Sequence, residues 1–158
     1  MNSYSLKLFF TLTCCLFFSC SASTSNELIE GITPPNFETE ILLLINKHRK
    51  SKGLQELQIL EVIKSQTDSH TNYMIQQNAL SHDNFNTRAD YLKKHANSIG
   101  IAENVAKGYS TAETVVNGWL KSDGHRQNIE GNYTHFNLTA KQNKNGVWYY
   151  TNIFVRVQ

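Results

Sequence analysis

The stretch 100–129, GIAENVAKGYSTAETVVNGWLKSDGHRQNI, decides how the rest of the chain is read. It sets one acid, Glu103, just after an apolar step, in a segment 101–105 that reads as a short strand or extended loop. It then passes into an amphipathic pattern over 111–121. Val115, Val116, Trp119 and Leu120 share one face there at helical spacing. Ser110 or Thr111 suits the N-cap, with Glu113 as the capping-box partner of Ser110. Ser122-Asp123-Gly124 breaks the helix, and His125-Arg126-Gln127-Asn128 follows. His82 lies 21 positions before Glu103, and His125 lies 22 after it. We expect these three side chains to meet in one cleft.

Upstream, the spacing of Ile41, Leu44, Ile45 and His48 predicts a first helix over 38–52, with Gly53 as its stop. Ile63, His70, Tyr73, Met74 and Gln77 predict a second over 60–78. His48 and His70, each on an apolar face, read as packed, hydrogen-bonded histidines. Ser81-His82-Asp83-Asn84 is a polar loop, 87–95 a short helix and 97–100 a turn. Downstream the period changes. Residues 136–141 alternate, Asn145-Gly146 is a hairpin signal, and 147–157 is rich in β-branched and aromatic residues. Helices first and a hairpin last imply an α+β fold: a small antiparallel sheet covered by helices.

The chain opens with Lys7 and an 11-residue apolar run at 8–18, too short to span a membrane and right for the core of a secretory signal. Ser19-Cys20 closes that run and resembles the cleavage box of bacterial lipoproteins, which makes 1–19 a signal peptide and Cys20 a lipidated first residue. An ordinary signal cut near 21–23 is the alternative. The polar, Pro-Pro-ended segment 20–36 reads as a tether, and 37–158 as one domain. Lipidation at Cys20 would hold the protein at a membrane surface, an outer-membrane or surface lipoprotein of the cell envelope; without it the protein is secreted. All three cysteines, Cys14, Cys15 and Cys20, belong to the leader, so the domain has neither a disulfide nor a cysteine nucleophile. The formal charge of +2, of which Lys7 supplies one, gives no basis for nucleic-acid binding.

Two imidazoles and a carboxylate are the ligand set of many open zinc sites, with water in the remaining position. The same three groups serve as a general acid–base set without metal. They also suit three separate structural roles, because the spacing is long-range and matches no local metal motif. Around them, Asn104 orients Glu103 or satisfies backbone, Arg126 pairs with a carboxylate, and Asn128 caps a turn. Ser122 is a nucleophile candidate that lacks an evident third partner.

Several strings occur in an order that resembles one family. They are Ser81-His82; Ala102-Glu103-Asn104-Val105-Ala106-x-Gly108; Val116-x-Gly118-Trp119-Leu120-x-Ser122-x-Gly124-His125-Arg126-x-Asn128-Ile129; and Trp148-Tyr149-Tyr150-Thr151-Asn152-x-Phe154. Upstream, Asn46-x-x-Arg49-x-x-x-Gly53-Leu54-x-x-Leu57 and His70-x-x-x-Met74 fit as well. The domain is similar to the CAP superfamily (cysteine-rich secretory proteins, antigen 5 and pathogenesis-related proteins, also called SCP) in its bacterial, cysteine-free form. The resemblance implies a three-layer α-β-α sandwich with a surface cleft. That cleft carries two histidines and two acids, and in some members zinc or another divalent cation. His82, Glu103 and His125 match three of the four. The fourth, an acid shortly after the first histidine, falls in Asp83-Asn84-Phe85-Asn86-Thr87, where only Asp83 is acidic.

The functional expectation is an envelope-anchored or secreted binding module whose cleft holds a divalent metal and a lipid, cell-wall or other small-molecule ligand. A metal-dependent or His/Glu hydrolase cutting peptide or ester bonds is the alternative. A structural adhesin is the third reading.

Overall fold

The computed structural model describes residues 36–158. The expected signal peptide, the lipidation of Cys20 and the tether up to residue 35 lie outside the described residues.

Helix α1, Phe37–Ser51, starts where the Asn36 side chain accepts the Thr39 N–H at 2.8 Å, satisfying one of the orphan donors of the first turn. It buries Ile41, Leu42 and Ile45. Gly53 ends it with φ of +71°, a conformation that costs glycine little. Strand β1, Gln58–Ile59, precedes α2, Glu61–Gln77, which Asn78 closes in the left-handed region. Helix α3 is Phe85–Ala96, β2 is Ser98–Lys107, α4 is Ala112–Lys121, and α5 is Asp123–Glu130. The chain ends in the hairpin β3, His135–Gln142, and β4, Trp148–Val157.

The sheet order is β1-β3-β4-β2, with β2 and β3 antiparallel to the central β4 and the two-residue β1 parallel to β3. Alternation along β4 sorts two cores. Tyr150 and Phe154 join Ile41, Ile45, Val115, Trp119 and Ile129 from α1, α4 and α5. Ile153 and Val155 join Ile63 and Leu92 from α2 and α3, and Tyr149 meets Met74. Covered on both faces, β4 is buried without a break from Tyr149 to Val155. The α-β-α sandwich is therefore the observed architecture.

Three local expectations change. Ser122-Asp123-Gly124 does not leave a loop. Ser122 is extended, with φ of −97° and ψ of 120°, and α5 begins at once. Burial of Ile129 and the acid Asp123 in the first turn favour that second helix. Strand β2 is ten residues long, because pairing with β4 along its length recruits 98–100, which read as a turn, and extends the strand through 106–107. The α4 cap is Thr111 with Thr114, a reciprocal pair, instead of Ser110 with Glu113.

Between α2 and the sheet, buried hydroxyls meet at 2.8 Å in Thr67 with Thr139 and Thr71 with Thr151. Thr71→Val leaves the Thr151 hydroxyl unmet, and we expect it to cost about 1–3 kcal/mol. The double variant with Thr151→Val should recover most of that loss in a urea titration.

Candidate functional site

The site forms at the β2 edge of the sheet, where side chains from both faces converge. Successive residues of a strand point to opposite faces. Glu103 therefore turns toward α2 and α3, while Asn104 turns toward α5.

Glu103 is the hub, with only 1% of its side chain exposed. Arg88 of α3 grips it with two parallel bonds, Nε to Oε2 and Nη2 to Oε1, both 2.8 Å. Such a fork is among the stronger charge-assisted contacts and balances the carboxylate charge locally. Oε1 also lies 2.8 Å from His82 Nδ1 and 3.8 Å from His70 Nε2. An ionised carboxylate only accepts, so His82 Nδ1 carries the proton and a neutral ring keeps its lone pair on Nε2. The His82 side chain is 53% exposed, so that nitrogen is within reach of a ligand.

The loop that presents His82 is pinned from three directions. His70 Nε2 donates to the Ser81 carbonyl at 2.7 Å, Arg88 Nη1 to the Asp83 carbonyl at 2.7 Å, and Tyr73 Oη to Asp83 Oδ2 at 2.9 Å. That tyrosine bond holds the Asp83 carboxyl below its ordinary value. Asp83, the acid that follows His82 in sequence, is thus committed to Tyr73.

His125 lies in α5, and its main chain is held against β2. Asn104 Nδ2 donates to its carbonyl at 3.1 Å, and Asn128 Nδ2 donates to Asn104 Oδ1 at 2.9 Å and to the Glu103 carbonyl at 3.3 Å. Asn128 is therefore a clamp between α5 and the strand, instead of a turn cap, and it lines the cleft. Burial pushes the His125 imidazole below its ordinary value, and the nearby His82 pushes the same way. The two rings are thus close enough to feel each other's charge. The cleft encloses about 320 Å³ between His82, Phe85, Ile101, Ala102, Glu103 and Asn128.

Two expected supporting residues stand apart. Arg126 pairs with Asp123 at 2.7 Å on the surface of α5. The Ser122 hydroxyl bonds neither imidazole among the described residues, and its carbonyl accepts the Arg126 N–H. Arg88 and His70 are site residues that the sequence did not single out for this role. His48 bonds Glu130 at 2.8 Å, which ties α1 to α5 away from the cleft.

The donor set bears on a metal. Among the described residues no three His, Cys, Asp or Glu side chains converge closely enough to hold one. Glu103 is buried, and its Oε1, the oxygen facing His82, already accepts from both Arg88 and His82, so this carboxylate does not fit as a direct ligand beside His82. It fits the place behind a ligating imidazole, where carboxylates commonly fix tautomer and ring orientation.

The family model for the cysteine-rich secretory protein family, CAP, matches residues 42–155. The chain belongs to the CAP family. The Bacillus subtilis protein YkwD is 34% identical over 106 residues, which is 65% of this chain and 41% of YkwD. The membrane protein YlbC of the same organism is 29% identical over 123 residues, 75% of this chain and 34% of YlbC. This CAP chain thus spans well under half the length of either. Among solved structures, an outer surface protein of Borrelia burgdorferi superposes with a TM-score of 0.67 at 18% identity, over 75% of this chain and 90% of that one. An extracellular protein with an SCP domain from Bacillus anthracis gives 0.64 at 25% identity, over 80% and 44%. The likeness to the Borrelia protein speaks to the CAP fold alone.

The histidines set a pH response. Burial lowers His70 and His125 from their ordinary 6.5, so the fold favours both neutral rings. The unfolded chain binds those protons first as pH falls. Their contribution is complete above about pH 6.5 and is lost below it, toward the depressed folded values. We expect the melting temperature to fall between about pH 7 and pH 5, with a shallower fall in His125→Gln. A flat profile in the parent chain contradicts this.

Proposed function

We propose that this CAP domain is a secreted or envelope-held binding module whose cleft takes a divalent ion, zinc first, through His82 and His125. The observation that carries the reading is the 2.8 Å contact of His82 Nδ1 with Glu103 in a ring that is half exposed. It fixes the tautomer with Nε2 as the free, neutral donor that zinc uses. The lowered His125 supplies a second neutral imidazole. Waters would complete the shell. An organic ligand would fill the rest of the cleft; the family resemblance offers a lipid or a cell-wall fragment.

Calorimetric titration with zinc tests this. Tight binding in the parent should be lost in both His82→Ala and His125→Ala, with the circular dichroism unchanged. Equal affinity in both variants overturns the shared site. A hydrolase is the second reading, favoured by the His82–Glu103 pair, which resembles a base held by an orienting carboxylate. Metal-dependent turnover of peptides or esters that disappears in Glu103→Gln would support it.

The similar Borrelia and Bacillus anthracis proteins, an outer surface and an extracellular protein, support an envelope or secreted place. So does the apolar run at 8–18. Cys20→Ser should release the protein from the membrane fraction. A variant that stays bound removes the lipid anchor from this reading.

A further inference from the structure

Strand β2 is an edge of the sheet. Its Glu103 and Val105 carbonyls face outward, because they accept from Asn128 Nδ2 at 3.3 Å and Trp119 Nε1 at 3.1 Å. In an antiparallel strand the outward-facing groups recur at every second residue. The N–H and C=O of Ile101 therefore also face away from β4. The partner register agrees. Ile101 lies opposite Val155, whose carbonyl accepts the Thr134 N–H on the β3 side. Among the described residues nothing bonds the Ile101 main chain on the outer side. Asn128 and Trp119 occupy only the Glu103 and Val105 carbonyls, and the fold leaves both main-chain groups of Ile101 open inside the cleft. Open edges are normally covered, because they template strand pairing.

We propose that the cleft takes an extended polypeptide segment of another protein, which joins the sheet as an added strand along 101–103. This rests on the reading of the cleft as a ligand site and names the ligand class. One residue of an antiparallel strand would satisfy both the N–H and the C=O of Ile101. A lipid tail offers neither donor nor acceptor. The Glu103 charge is balanced by Arg88, which suits an uncharged main chain. Phe85 and Ile101 supply an apolar wall for one incoming side chain. Ile99, 60% exposed at the register shift before Gly100, marks the mouth of the groove.

The test is amide hydrogen exchange, read by NMR on the full chain, with a capped peptide of alternating valine and serine as the probe. Exchange at Ile101 and Glu103 should slow about tenfold or more. A copy of the peptide N-methylated along its backbone, unable to donate, should leave it unchanged. Ile101→Pro removes the strand's donor at a position where an edge tolerates proline, and should abolish the response. If that variant fails to fold, the N-methylated peptide decides alone. Unchanged exchange, equal protection by both peptides, or protection instead at the groove that Leu44 and His48 of α1 form with Val116 and Leu120 of α4 overturns the proposal. So does protection that grows with protein concentration without peptide, which would mean a second copy of this chain occupies the edge. Zinc is added in a parallel arm. A lost peptide response with intact zinc shifts at His82 removes this proposal only, and loss of both removes the underlying reading of the cleft as well.

Discussion

Arg88→Met is expected to destabilise the folded chain by about 3–5 kcal/mol, because it strands a charged Glu103 in a water-excluded site. The Arg88 and Glu103 side chains are both buried, and the fork is their mutual compensation. Removing the guanidinium also frees the Asp83 carbonyl, so the loop carrying His82 loses one of its three anchors. For a domain of this size the melting temperature should fall by about 10–20 °C. The double variant with Glu103→Leu removes both charges, and it should recover most of the stability. His82 then loses its orienting partner, so stability returns and zinc affinity does not. Denaturant titration beside calorimetry separates the two effects. A single variant as stable as the parent would mean that the fork is not the compensation described here.

Trp119→Ala should cost about 3–5 kcal/mol, the range for deleting a fully buried aromatic side chain. The indole packs on Tyr150 with centroids 6.4 Å apart and closes the first core. It also covers the β2 edge through its bond to the Val105 carbonyl. Trp119→Phe keeps much of the volume and drops that bond. It should lose about 1–3 kcal/mol, the cost of an unmet buried carbonyl. A phenylalanine variant as stable as the parent would show that water already serves the Val105 carbonyl. Thermal melts followed by near-ultraviolet circular dichroism report both.

Elements whose signals are local were legible in the sequence. The apolar stripe of α1, the capped amphipathic α4 and the Asn145-Gly146 hairpin each carry their own code. Strand β1 does not, because two residues have no period and exist as a strand only through β3. Helix α5 was hidden because Ser122 and Gly124 are breakers in sequence, although here Ser122 only separates two helices. At the site, family strings pointed to His82, Glu103 and His125. Arg88 and His70 were harder. A lone acid between apolar residues of a strand demands a cation, and that signal is physical. It does not say which of 15 lysines and arginines answers, since α3 brings Arg88 to β2 only in the folded state. Asp83, the acid near His82 in sequence, turned out to serve Tyr73.

The most direct measurement is a long-range proton–nitrogen spectrum of the full chain with labelled histidine rings, recorded as zinc is added. His82 should start as the tautomer protonated on Nδ1, and His82 and His125 should shift together at one zinc per chain. His48, His70, His95 and His135 should hold still. Zinc that moves only one of the pair, or a histidine outside it, contradicts a common cleft.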